Sequence, residues 1–291
     1  MQGIPLVEYF KPHLKAFVEE AANEDEVTAE SVLKEGHEKS KQLLYSLMDD
    51  VLEEGSEFRN VEHAERFLEE VKAGKKGIIL AEHYSNFDFP MFAYLLEKAS
   101  PYGKELINLT YAIAGIKISE ENEYISALAA GFNRIFIYPS LSLENMKDDA
   151  KKAEEEKKAR AINLASMRAM DRLRSSSHPI MIFPSGTRYR PGRPETKKGR
   201  REIDSYIKSS DIMILLSING NCLRLSTSNN MEEDLVFKDK MIITSSPVYD
   251  CGTFRENVKK EHPDTQDIKQ DVADEVMKVL EDMHNKIESE R

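Results

Sequence analysis

Cysteine is scarce: the 291-residue chain has two, Cys222 and Cys251. No disulfide framework is implied, and a reducing compartment is the expectation. The opening Met1-Gln2-Gly3-Ile4-Pro5 has neither the charged nor the apolar region of a secretory leader. Long apolar runs are missing too, and none approaches the length that spans a bilayer. Positive charge is outnumbered, 41 Lys and Arg against 52 Asp and Glu, for a net charge of −11. That balance argues against general nucleic-acid binding. An acidic chain can still work at an anionic membrane where its positive charge gathers near one surface. These absences together point to a cytoplasmic protein, at most peripheral at a membrane. No repeat period is found, which excludes a solenoid.

What is present changes character along the chain. Before Gly74 the pattern is helical. Leu44, Leu47, Met48 and Val51 recur at i, i+3, i+4 and i+7, as do Ala64, Phe67, Leu68 and Val71. An earlier member carries Leu14, Phe17 and Val18, with Pro12 in its first turn. After Gly74, short apolar runs suggest strands at Gly77–Ala81, Leu106–Ala112, Ile135–Tyr138, Ile180–Phe183, Ile212–Ile218 and Met241–Thr244. Helical patterns lie between several of them, at Phe89–Ser100, around Leu164 to Leu173 and at Glu202–Lys208. A last charged helix runs from about Thr265. Alternating buried strands and helices predict an α/β fold with a mixed, mainly parallel sheet flanked by helices. The expected division is an N-terminal helical domain over 1–74 and an α/β domain over 75–291. The run Lys147–Arg160, poor in apolar residues, reads as a solvated helix face or as a lipid or carrier-protein contact.

The segment Ala81-Glu82-His83-Tyr84-Ser85-Asn86-Phe87-Asp88-Phe89-Pro90 follows a predicted buried strand. Ligand sites in α/β sheets gather at the carboxyl ends of such strands. A neutral imidazole at His83 can take the proton of an alcohol as that alcohol attacks an acyl carbon. A carboxylate at Asp88 would fix the tautomer and stabilise the imidazolium. Asp88 before Phe89-Pro90 is equally a natural helix N-cap, and His83 could simply satisfy a buried carbonyl. No second His or Cys stands at zinc-ligand spacing.

The second informative segment is Ile180 to Pro194, where a strand-like run leads into Phe183-Pro184-Ser185-Gly186-Thr187-Arg188-Tyr189-Arg190. Arginines at i and i+2 beyond a glycine turn can converge on a phosphate together with backbone N–H groups. They can also be solvated loop residues. Ser185 is not in a G-x-S-x-G elbow, which disfavours a serine hydrolase.

Together the two segments resemble the glycerolipid acyltransferase family, marked by His-x4-Asp and a later Phe-Pro-(Glu/Ser)-Gly-(Thr/Gly)-Arg. Ser185 in place of glutamate, then Arg190 and Pro191, look most like the soluble glycerol-3-phosphate 1-acyltransferases of plastids and their bacterial relatives. The resemblance implies that His83 is the general base and Asp88 orients it. It implies that Ser185, Gly186, Thr187, Arg188 and Arg190 form the acceptor-phosphate loop. The co-substrate would be a thioester on acyl carrier protein or coenzyme A, the acceptor glycerol 3-phosphate, and no metal or cofactor would be needed. The location it implies is cytoplasmic, or the stroma of a plastid.

One stretch departs from the pattern. Gly131-Phe132-Asn133-Arg134-Ile135-Phe136-Ile137-Tyr138 matches the family's glycine-to-strand segment, but no basic residue follows Tyr138 at once. The missing charge would come from Lys147 or Arg134, or hydroxyls would contact the substrate instead. This leaves lysophosphatidate or another lysophospholipid as competing acceptors, and a non-catalytic lipid- or acyl-carrier-binding protein as a rival of another class. The basic cluster Lys197-Lys198 and Arg200-Arg201 is a candidate surface for an acidic carrier protein or anionic lipid heads, or a solvated loop.

Overall fold

The computed structural model describes residues 3–12, 26–116, 126, 129–139, 149–228 and 230–291. Element labels below number the described elements. The chain opens with β1 (Ile4–Pro5) and α1 (Leu6–Phe10), followed by β2 (Leu33–Lys34), α2 (Glu38–Val51), β3 (Glu57–Arg59) and α3 (Val61–Lys72). Next come β4 (Gly77–Ala81), α4 (Asp88–Ala99), α5 (Gly103–Leu109), β5 (Tyr111–Gly115), β6 (Arg134–Ile137), α6 (Asp149–Ser175) and β7 (Ile180–Ile182). The last third holds α7 (Ile203–Lys208), β8 (Ile212–Asn219), β9 (Leu223–Arg224), β10 (Leu235–Val236), β11 (Ile242–Ser245), β12 (Tyr249–Asp250), α8 (Cys251–Glu261) and α9 (Ile268–Glu288).

The main sheet has the order β2-β6-β5-β7-β4-β8-β11-β3, with β12 also paired to β8. Strands β6, β5, β7, β4 and β8 run parallel, while β2 is antiparallel to β6, β11 and β12 are antiparallel to β8, and β3 runs parallel to β11. The fold is thus the mixed, mainly parallel α/β sheet that the alternating pattern predicts. Every residue of β4 and of β8 is buried, as expected for parallel strands covered on both faces. Successive side chains of β4 serve opposite faces. Ile79 and Ala81 pack with α2, α3 and α4, and Ile78 and Leu80 with α7, α8 and α9. Gly77 is required where α3 crosses the start of β4, since a Cβ there would lie 2.6 Å from Phe67 Cζ.

The expected boundary at residue 74 falls between α3 and β4. Across it, β3 pairs with β11 in the main sheet, and Leu44, Leu47 and Phe67 share one core cluster with Ile79 and Phe92. The expected earlier helix around Leu14, Phe17 and Val18 lies outside the described residues. The run Leu106–Ala112 is not one strand. Its first part ends α5 and its last residues begin β5, because an apolar run alone does not tell a buried helix turn from a strand. A separate three-stranded antiparallel sheet, β1-β10-β9, ties the start of the chain to the segment around residue 235. Among the described residues, no helix is long and apolar enough to cross a membrane.

Candidate active site

Strands β4 and β7 are parallel neighbours, with Leu80 opposite Ile182. The segments leaving their carboxyl ends therefore emerge side by side, and these are the two motifs. His83 and Phe183 meet there as stacked rings, centroids 3.9 Å apart and planes 11° apart. The backbone N–H of Tyr189 donates to the His83 carbonyl at 2.8 Å, which clamps the second loop onto the first.

His83 Nδ1 donates to Asp88 Oδ2 at 2.9 Å, with the imidazole 16% exposed and the carboxylate 2%. A carboxylate only accepts, so this bond assigns the Nδ1–H tautomer and leaves the Nε2 lone pair for a proton. Asp88 also accepts from the N–H groups of Tyr84 at 2.6 Å and Ser85 at 2.9 Å, and from Ser85 Oγ at 3.0 Å. These donors all precede the helix. Asp88 is the first residue of α4, and no side-chain cap bond is made there, so the N-cap reading of Asp88 is corrected. Its carboxylate organises the turn between β4 and α4 and sits at the favourable, positive end of the helix.

The second loop is built by its own hydrogen bonds. Gly186 N donates to Phe183 O at 2.9 Å, closing a turn in which Gly186 adopts φ +66°, the left-handed region that glycine enters freely. Ser185 Oγ donates to the Thr187 carbonyl at 2.7 Å, and Arg190 N to Thr196 Oγ1 at 2.9 Å. The Cβ that Gly186 lacks would touch Arg200 Cγ at 3.4 Å, and Arg200 N donates to Pro184 O. The basic cluster thus begins against this turn. Arg188 is drawn inward: its Nη1 lies 2.5 Å from Asp234 Oδ2, with the side chains 10% and 3% exposed. Asp234 also accepts from Ser226 N at 3.0 Å, and its carbonyl accepts from Leu6 N at 2.8 Å. Arg188 keeps further N–H groups for an anion, since a guanidinium carries five.

Arg134 is no substitute phosphate contact. It is the first residue of β6, at the opposite end of the parallel strands from His83, and it is buried with Nε on the Phe132 carbonyl. Lys147 lies outside the described residues. Sequence reasoning missed Glu82, Tyr84, Tyr189 and Asp234, all of which join the site, and His284 on the distant α9. A glutamate directly after an apolar strand was the one available signal, since a buried carboxylate needs partners. Among the described residues, no three His, Cys, Asp or Glu side chains come together as metal ligands.

A histidine held by a carboxylate at the carboxyl end of a parallel sheet, beside a glycine turn with arginines, can take a proton from a bound hydroxyl. The family model described as Acyltransferase matches residues 59–215, more than half of the chain, and spans both motifs. The chain belongs to the acyltransferase family. No curated protein matches it.

Proposed function

We propose that this acyltransferase is a glycerol-3-phosphate 1-O-acyltransferase, taking a fatty acyl group from a thioester of acyl carrier protein or coenzyme A. The observation that carries the reading is the His83–Asp88 bond of 2.9 Å within a loop clamped to the arginine-bearing turn. His83 Nε2 takes the proton of the sn-1 hydroxyl as its oxygen attacks the thioester carbon. The tetrahedral intermediate then expels the thiolate, which leaves with that proton, and lysophosphatidate is released.

The acceptor phosphate sits on the Ser185–Thr187 turn with Arg188 and Arg190. Asp234 fixes the plane of the Arg188 guanidinium and leaves its other N–H groups to the ligand. The cluster Lys197, Lys198, Arg200 and Arg201 faces an acidic carrier protein or anionic lipid heads, in keeping with a cytoplasmic enzyme that works at the membrane surface.

Purified protein given acyl-coenzyme A or acyl carrier thioester is offered glycerol 3-phosphate and lysophosphatidate separately. Acylation of glycerol 3-phosphate, lost in His83→Ala, is the expected result. Acylation of lysophosphatidate alone would overturn the choice of acceptor, and binding without turnover would favour a non-catalytic carrier.

A further inference from the structure

The family match ends at residue 215, yet a side chain from α9 reaches the end of β4. His284 Nδ1 donates to Glu82 Oε2 at 2.9 Å, and Glu82 is 3% exposed. The same carboxylate accepts from Ile218 N at 2.8 Å and from the Tyr84 hydroxyl at 2.8 Å. That hydroxyl lies 3.3 Å from His284 Nδ1, and the Tyr84 backbone N–H donates to Asp88. Glu82 and Tyr84 flank His83 in the chain, so this network grips the base from both sides.

We infer that His284 is a positioning residue for His83, acting through Glu82 and Tyr84. The inference rests on His83 being the base of the reaction proposed above. A buried carboxylate that loses a donor rearranges or takes in water. Here the rearrangement would move the backbone on both sides of His83. A displacement of about 1 Å at a reacting group can slow turnover about a hundredfold. Burial alone would lower the His284 pKa, but the bond to Glu82 and its charge outweigh that and raise it. The helix is held in place by Asn219 Nδ2 on the His284 carbonyl at 3.0 Å, and by Lys197 on Glu281 at 3.3 Å.

The test compares full-length His284→Ala and His284→Asn, the second keeping an N–H where Nδ1 stood. With acyl-coenzyme A and the acceptor that wild type uses, kcat per folded molecule falls about ten- to a hundredfold in His284→Ala. KM stays within about threefold, and His284→Asn recovers most of the rate. In protein labelled with ¹⁵N-histidine and free of substrate, the His83 ring signals shift in His284→Ala. Wild-type kcat in His284→Ala, or a loss that only follows the folded fraction, overturns the inference. Should wild type transfer no acyl group, or His83→Ala retain turnover, the reading of the site fails. The substrate-free spectra then decide the positioning alone, and unmoved His83 signals overturn it.

Discussion

The imidazole of His83 lies flat on the ring of Phe183, centroids 3.9 Å apart, so the first residue of one motif packs against the first residue of the other. The stack limits rotation of His83 about its side-chain bonds while Asp88 holds Nδ1. Phe183→Leu keeps apolar contact but removes the flat platform. Steady-state kinetics should show kcat lowered about tenfold with acceptor KM little changed, and urea unfolding a loss of about 1 kcal/mol. An unchanged kcat would show that Asp88 alone orients the ring.

Asp88 has a heavier role than tautomer control. Its carboxylate receives His83, two backbone N–H groups and the Ser85 hydroxyl. Asp88→Asn replaces one accepting oxygen by an NH₂ group that faces donors. Turnover should fall by about four orders of magnitude, as expected when a base is held in the wrong tautomer. Stability should fall by about 1–3 kcal/mol through the unsatisfied N–H groups of the turn. Activity assays and denaturant titration read the two effects separately, and near-wild-type turnover would remove Asp88 from the mechanism.

Much of this site was legible because its two motifs follow strands whose runs are short, apolar and flanked by turn residues. Once β4 and β7 are neighbours, His83 and Phe183 must meet. The rest was hidden by distance along the chain. Glu82 and His284 are 202 positions apart, and Arg188 and Asp234 are 46 apart, and no local pattern links either pair. The Asp88 cap was misread for a subtler reason. Aspartate before a helix suits both the helix and the turn behind it, and here the turn's N–H groups took the carboxylate. Arg134 stands at the amino end of β6, away from the carboxyl ends where such sites gather.

The Arg188–Asp234 pair sets two effects apart. Asp234 is buried and the Arg188 side chain is 10% exposed, so removing one partner leaves a poorly compensated charge. Asp234→Ala should cost about 3–5 kcal/mol. Arg188→Ala should destabilise similarly and also raise acceptor KM if the guanidinium grips the phosphate. The Arg188→Ala/Asp234→Ala double variant should recover part of the stability but none of the acceptor affinity. A double-mutant cycle by urea unfolding, with KM measured on each variant, checks this. Full recovery of KM in the double variant would show Arg188 to be a structural anchor only.

The His284–Glu82 pair makes a prediction about pH. Folding raises the His284 pKa above its ordinary 6.5: burial and nearby Lys197 oppose the rise, while Glu82 and Glu288 drive it. Tyr84, whose hydroxyl lies 3.3 Å from His284 Nδ1, has its own pKa pushed far up by burial and by Glu82, so it stays neutral throughout. Between the ordinary and the raised His284 value the folded chain holds a proton that the unfolded chain has released. Stability from this pair is therefore fully present below about pH 6.5 and is lost as pH rises through the raised folded value. Urea midpoints measured from about pH 6 to about pH 9 should decline more steeply for wild type than for His284→Asn, which has no proton to lose. Equal slopes would mean that His284 is already neutral when it meets Glu82.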